Sequence, residues 1–182
     1  MAKASNLNTR IFVDEFDLSG FLNGSSLDVK QETPVVTCFS DSGPRRLVGN
    51  YDHSHECGGF FDGADDSFDE QVFLMLNDTD DHYLTQLFGA YSEGSISYDS
   101  VFRLDGQPRS VKLGDAILLN FSGQGSNGIA RGQVIRNATI SGNGNGTGRN
   151  IGASSAGQTF QVTIRVLSGT FTSFDCNIQE SS

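Results

Sequence analysis

Short runs of Val, Ile, Phe and Thr recur along this chain, and Gly, Asn, Ser or Asp cuts each one off within a few residues. This punctuation constrains the fold most, because runs of about four to eight residues bounded by turn formers suit strands and are too short for most helices. With 22 Gly and only three Pro, the chain reads as mainly β and mostly antiparallel. The clearest strand lies in "TFQVTIRVLSG": Phe160, Val162, Ile164 and Val166 point one way, Gln161, Thr163 and Arg165 the other. After Gly169 the apolar set moves to Phe171, Phe174, Cys176 and Ile178, a change of phase that a bulge would produce. Weaker alternation predicts strands at 26–32, 50–61, 101–104, 116–121 and 132–140. "AILLNF" is apolar on both faces, which predicts a central or covered strand.

One helix is expected. In "DDSFDEQVFLMLND", Phe68, Val72, Met75 and Leu76 form one helical face. Ser67 and Glu70 have capping-box spacing, and Asp65, Asp66 and Asp69 put negative charge at the positive end of the dipole. A calcium loop is the rival reading of these acids, but Ala64 and Ser67 stand where an oxygen ligand and the loop glycine belong. The stretch "SGNGNGTGRNIGASSAGQ", 141–158, is a flexible connection expected to order on contact with a neighbour; it lacks the Gly-Lys-Ser/Thr ending of a phosphate loop.

The chain's 182 residues suffice for a single domain, 1–182, that needs no metal or disulfide to hold its core. A formal charge of −10 opposes sequence-independent binding to phosphate backbones. "MAKASNLNTR" has no apolar signal segment and no run long enough to span a membrane follows, so folding in a cytoplasm is expected. Cys38, Cys57 and Cys176 are expected to be reduced and mostly buried.

His53 and His55 share a strand face with Cys57, and His-x-His is a metal-ligand spacing. A zinc site needs more ligands, and only Cys57 or the distant His82 could supply one, so no metal or other cofactor is expected. The histidines then face a polar environment or a subunit contact. No Gly-x-Ser-x-Gly elbow is present, and the carboxylate pairs Asp14–Glu15 and Asp80–Asp81 read as solvated turns, so nothing argues for an enzyme.

Four pieces in order carry a resemblance: "DLSGFLNGSSLDV", "TPVVTCFSDSGPRRLVGNYD", a strand ending "CGGFFDG", and "ADDSFDEQVFLML". Together with "IARGQVIRNATISG" and the long strand after it, they resemble the major tail proteins of long-tailed phages, the subunits of the tail tube. Gly20 to Asn23, Thr37 to Phe39, Arg45 to Gly49 and Gly59 to Gly63 occupy the family's motif positions. The resemblance implies an antiparallel β-sandwich or barrel with one flanking helix, six copies to a ring, and rings stacked into a conduit for DNA. The implied partners are further copies, other tail proteins such as the tape measure and the tail terminator, and passing double-stranded DNA without specific binding or any membrane. The implied location is the virion tail, assembled in the host bacterial cytoplasm. The immunoglobulin-like domain that some relatives carry is not found, so a bare tube subunit is expected.

Two sets of residues are singled out on this basis. Arg45 and Arg46, after a turn-forming Gly-Pro, are expected at a subunit interface. In "SLDVKQE", Leu27 and Val29 face away from Asp28, Lys30 and Glu32; with Glu56, the acids Asp28 and Glu32 are expected on the lumen wall, where negative charge lets DNA slide. Competing readings are a capsid decoration protein or tail terminator, which stop at trimers or single rings, and a carbohydrate-binding β-sandwich. The last usually needs exposed aromatic platforms, and the chain has no Trp and four Tyr.

Overall fold

Alternation of apolar and polar residues becomes alternation of burial in the computed structural model, which describes residues 8–65, 67–89, 91–135 and 162–164. The strands are β1 (Arg10–Val13), β2 (Phe16–Asp17), β3 (Leu22–Gln31), β4 (Tyr51–Phe60), β5 (His82–Leu87), β6 (Ile96–Gly106), β7 (Arg109–Ser110) and β8 (Leu118–Gln133), with the helix α1 (Phe68–Asn77) between β4 and β5. Every pairing is antiparallel, in the order β2-β1-β5-β6-β8-β4-β3, with β7 added against β8. The fold is thus mainly β with one helix, as expected, and among the described residues the sheet does not close into a barrel.

The sheet curls. Gln86 on β5 donates a 2.7 Å hydrogen bond to Ser25 on β3, although the two strands lie four places apart in the sheet. In a flat sheet that separation would be about 19 Å. The concave side holds the core: Ile11, Val13, Leu84, Phe102, Leu104, Leu119 and Phe121 from the strands, closed by Phe68, Val72 and Met75 of α1.

The helix begins at Ser67 and buries Phe68, Val72 and Met75 at the predicted spacing, whereas Leu76 is exposed. Its cap differs from the predicted box: the Ser67 hydroxyl donates to the Asp62 carbonyl rather than accepting from the helix. Asp69 in the first turn holds Arg109 of β7 through two hydrogen bonds, so its charge serves a tertiary contact as well as the dipole.

The predicted strands at 26–32, 50–61 and 101–104 fall within β3, β4 and β6 with small differences at the ends. The segments at 116–121 and 132–140 are joined, as far as Gln133, by one strand, β8, which lies between β6 and β4, the central place expected for "AILLNF". Of the long strand expected in 159–169, residues 162–164 are described, and they are exposed and in no strand. The rest of that stretch, the bulge near Gly169, Cys176, Asp66 and the 141–158 connection lie outside the described residues.

Candidate assembly surfaces

Four adjacent strands, β3, β4, β8 and β6, turn a polar face away from the core. On β3 and β4 the register sets Asp28 opposite Ser54, Lys30 opposite Asp52, and Ser26 opposite Glu56. On β8, Ser122 stands opposite Glu56 and Gln124 opposite Ser54, and Arg103 of β6 continues the Gln124 row. Because side chains alternate strictly, the same strands send His55, Cys57, Phe121 and Phe102 inward. Asp28 and Glu56 therefore share one solvated face. Glu32, one residue past β3, is exposed and continues the row of Asp28 and Lys30.

Most charges on this face already have partners. Lys30 pairs with Asp28 at 2.5 Å, and the hydrogen bond and charge of Asp28 push its ammonium pKa up. The Ser122 hydroxyl, then the Gln124 amide, hold the Asp105 carboxyl below its ordinary range. Beside them, hydrogen bonds from Ser126 and Arg103 lower the pKa of Asp81. Asp81 is thus no idle turn residue, and neither is Asp14, whose carboxylate accepts from His82 at 2.7 Å and from the Tyr83 backbone at 2.8 Å. Among the described residues Glu56 has no such partner, and it borders a depression of about 530 Å³ lined also by Gly24 and Gly58.

Between β3 and β4 the hairpin runs on past the sheet as an arm, residues 32–50. Rungs from Glu32 N–H to the Asn50 carbonyl, Leu47 N–H to Pro34 and Val36 N–H to Arg45 hold its two sides, and Asp41 closes the tip against Cys38. The arm carries Val35, Val36, Phe39, Leu47 and Val48 into solvent, Phe39 completely. Arg45 and Arg46 lie on it, Arg45 loosely paired with Asp41 at 3.8 Å. Cys38, expected to be buried, is exposed near the tip.

The histidines, expected to face a polar environment or a subunit contact, lie in the core. His53 and His55 are 3% and 1% exposed. His53 Nε2 lies 3.2 Å from the Val101 carbonyl oxygen, which can only accept, so the ring donates. His55 Nε2 lies 2.9 Å from the Ser100 hydroxyl. Two glycines of β8 make the room: a Cβ on Gly125 would fall inside the His53 ring, and one on Gly123 inside Phe102. Burial, helped by the neighbouring His53, lowers the His55 pKa to about 4, and burial raises the Cys57 thiol to about 11. The Ser100–His55 distance would suit a nucleophile and its base, but Ser100 is 4% exposed and no substrate can reach it. Among the described residues no group of three or more His, Cys, Asp or Glu side chains could hold a metal. No described helix is long and apolar enough to cross a membrane.

No protein-family model and no curated protein matches the chain. Solved structures do. A chain of the SPP1 tail tube superposes with a TM-score of 0.59 at 8% identity, covering 74% of this chain and 81% of that one. A chain from the sheath/tube terminator of the extracellular contractile injection system PVC gives 0.57 at 13% identity, covering 72% and 98%. A chain from the C6-symmetric tail of an empty gene transfer agent particle gives 0.53 at 15% identity, covering 71% and 98%. At such identities the likeness is one of fold, and the fold of this chain is that of tail-tube proteins.

Proposed function

We propose that this chain is a structural subunit of a tail tube: six copies close into a ring, rings stack, and the hollow tube conducts DNA out of a virion. The observation that carries this reading is the four-strand polar face with its acids Asp28, Asp52, Glu56 and Asp105, backed by a continuous apolar core. Set inwards around a ring, such a face forms a wetted wall that repels phosphate. Asp28, Glu32 and Glu56 then belong to the lumen. The tail-tube fold and the six-fold symmetry of one similar tail, that of an empty gene transfer agent particle, support the arrangement. Ring closure also occupies sheet edges, which exposed strands would otherwise offer to unwanted partners.

The arm supplies the contact between copies. Its apolar residues gain by leaving water, and Arg45 and Arg46 pair with carboxylates of the neighbouring subunit, of which this acidic chain has many. The tape measure and tail terminator are the other partners, DNA passes without specific binding, and the chain performs no catalysis. It assembles in the host cytoplasm and works in the virion tail.

A second reading, a terminator that stops at one ring, draws on the likeness to a chain of the PVC terminator structure. Electron microscopy of the purified protein at high concentration separates the two. Rods support the tube subunit, isolated rings the terminator, and monomers at every concentration would remove both.

A further inference from the structure

The buried histidines sit at a break in the sheet. Along the β6–β8 ladder, pairing jumps from Ser100↔Ile129 to Phe102↔Gly125, leaving Val101 and residues 126–128 out of register. The Val101 carbonyl at this break takes its hydrogen bond from His53, and the preceding Ser100 is held by His55. Both imidazoles come from β4, which in the sheet lies on the far side of β8. They reach across the curl, with ring centres 5.2 Å apart, and His55 meets Phe102 edge-on at 5.6 Å.

We propose that His55 forms an acid-sensitive latch between β4 and β6: proton uptake by this buried ring puts a charge in the core beside Ser100 and opens the curled sheet at its irregular rung. This goes beyond the tube reading and does not depend on it.

The groups around these rings leave a charge on His55 poorly compensated. From β3, Leu27 and Val29 stand opposite them in register. β8 presents Gly123 and Gly125, and β6 presents Ser100, the Val101 carbonyl and Phe102. β5 contributes Gln86, whose amide is committed to Ser25, and His82, which lies across Phe102 and is paired with Asp14. On β4 itself, the Cys57 thiol is neutral, and Asp52 accepts the His53 backbone N–H. Among the described residues the one histidine–carboxylate pair is His82 with Asp14. His55 Nδ1 and Gln86 Oε1 are both buried without a hydrogen-bond partner; a bond to Gln86 would favour the charged ring, but burial outweighs it.

The sign follows from linkage. His55 is held neutral in the folded chain down to about pH 4, while an unfolded histidine takes its proton near 6.5. Between those values the open state binds more protons, so stability falls as pH falls, by up to about tenfold per pH unit in the folding constant for this ring.

Ring-selective NMR of the full chain, followed with far-UV circular dichroism from pH 8 to 3, tests this. We expect the His55 ring to stay neutral while native signals persist, then a cooperative loss of structure between pH 6 and 4. His55→Gln, which can still reach a hydroxyl, should move the midpoint down by about one pH unit. If that variant does not fold, the wild-type ring titration decides. A His55 ring that titrates near 6.5 with native spectra intact, or a folded His55→Gln chain with an unchanged acid midpoint, overturns the latch.

Discussion

Gln86 and Ser25 meet at 2.7 Å across the inside of the curled sheet, joining strands four places apart. Gln86 is fully buried, so removing the hydroxyl strips its amide of this hydrogen bond where no water can replace it freely. Ser25→Ala should therefore cost about 1–3 kcal/mol, the usual penalty for an orphaned buried donor, read as a lower urea midpoint at unchanged slope. A loss below about 0.3 kcal/mol would mean that water replaces the hydroxyl.

Gly125 and Gly123 should tolerate no side chain, because a Cβ would enter the rings of His53 and Phe102. Gly125→Ala is expected to cost about 1–3 kcal/mol through overpacking. Gly128→Ala, where nothing lies within 4 Å, is the internal control and should be close to neutral. Thermal melts of the two variants side by side give the comparison, and equal melting temperatures would contradict the packing.

The two described cysteines should differ sharply toward thiol reagents. Cys38 is exposed, whereas Cys57 is buried with its thiol pushed up to about 11. At pH 8, iodoacetamide followed by peptide mapping should label Cys38 at least tenfold faster. Comparable rates would place Cys57 in a region that opens readily.

The lumen assignment predicts a charge effect on DNA passage. Glu56, which has no partner among the described residues of the polar face, is a stronger candidate than Asp28, whose charge Lys30 offsets. Particles carrying Glu56→Lys with Asp28→Lys or Glu32→Lys should build tails of normal length yet eject DNA slowly, with the delay easing as salt rises. Ejection at the wild-type rate would put this face on the outside.

Arg45 and Arg46 project from the exposed arm, and their joint replacement by Ala should weaken assembly without altering the fold. Sedimentation should show rods forming only at several-fold higher protein concentration, with less dependence on salt than the wild type. Unchanged yield and salt dependence would free the arginines from any interface.

What the sequence made legible was what alternates. β3 and β4 follow period two closely enough that the polar row of Asp28, Lys30 and Glu56 could be assigned before the fold was known. β1 escaped because Ile11, Phe12 and Val13 are all buried, leaving no alternation to detect. In β8 the pattern is present but muted: Ser122, Gln124 and Ser126 alternate with Gly123 and Gly125, whose inward places are filled by rings from neighbouring strands. A glycine carries no hydropathy signal, so that face is invisible until the rings are located. The histidines misled for the converse reason, since a polar residue type at an inward position is satisfied by partners, Ser100 and Val101, that lie far away in sequence.

The arm keeps Phe39, Val35, Leu47 and Val48 in water for as long as a subunit is alone. Any contact that covers them draws on released hydration water, a driving force that grows with warming and carries a negative heat-capacity change. Tubes held together in this way come apart in the cold, so a rod suspension chilled on ice should shed subunits and regrow on return to room temperature.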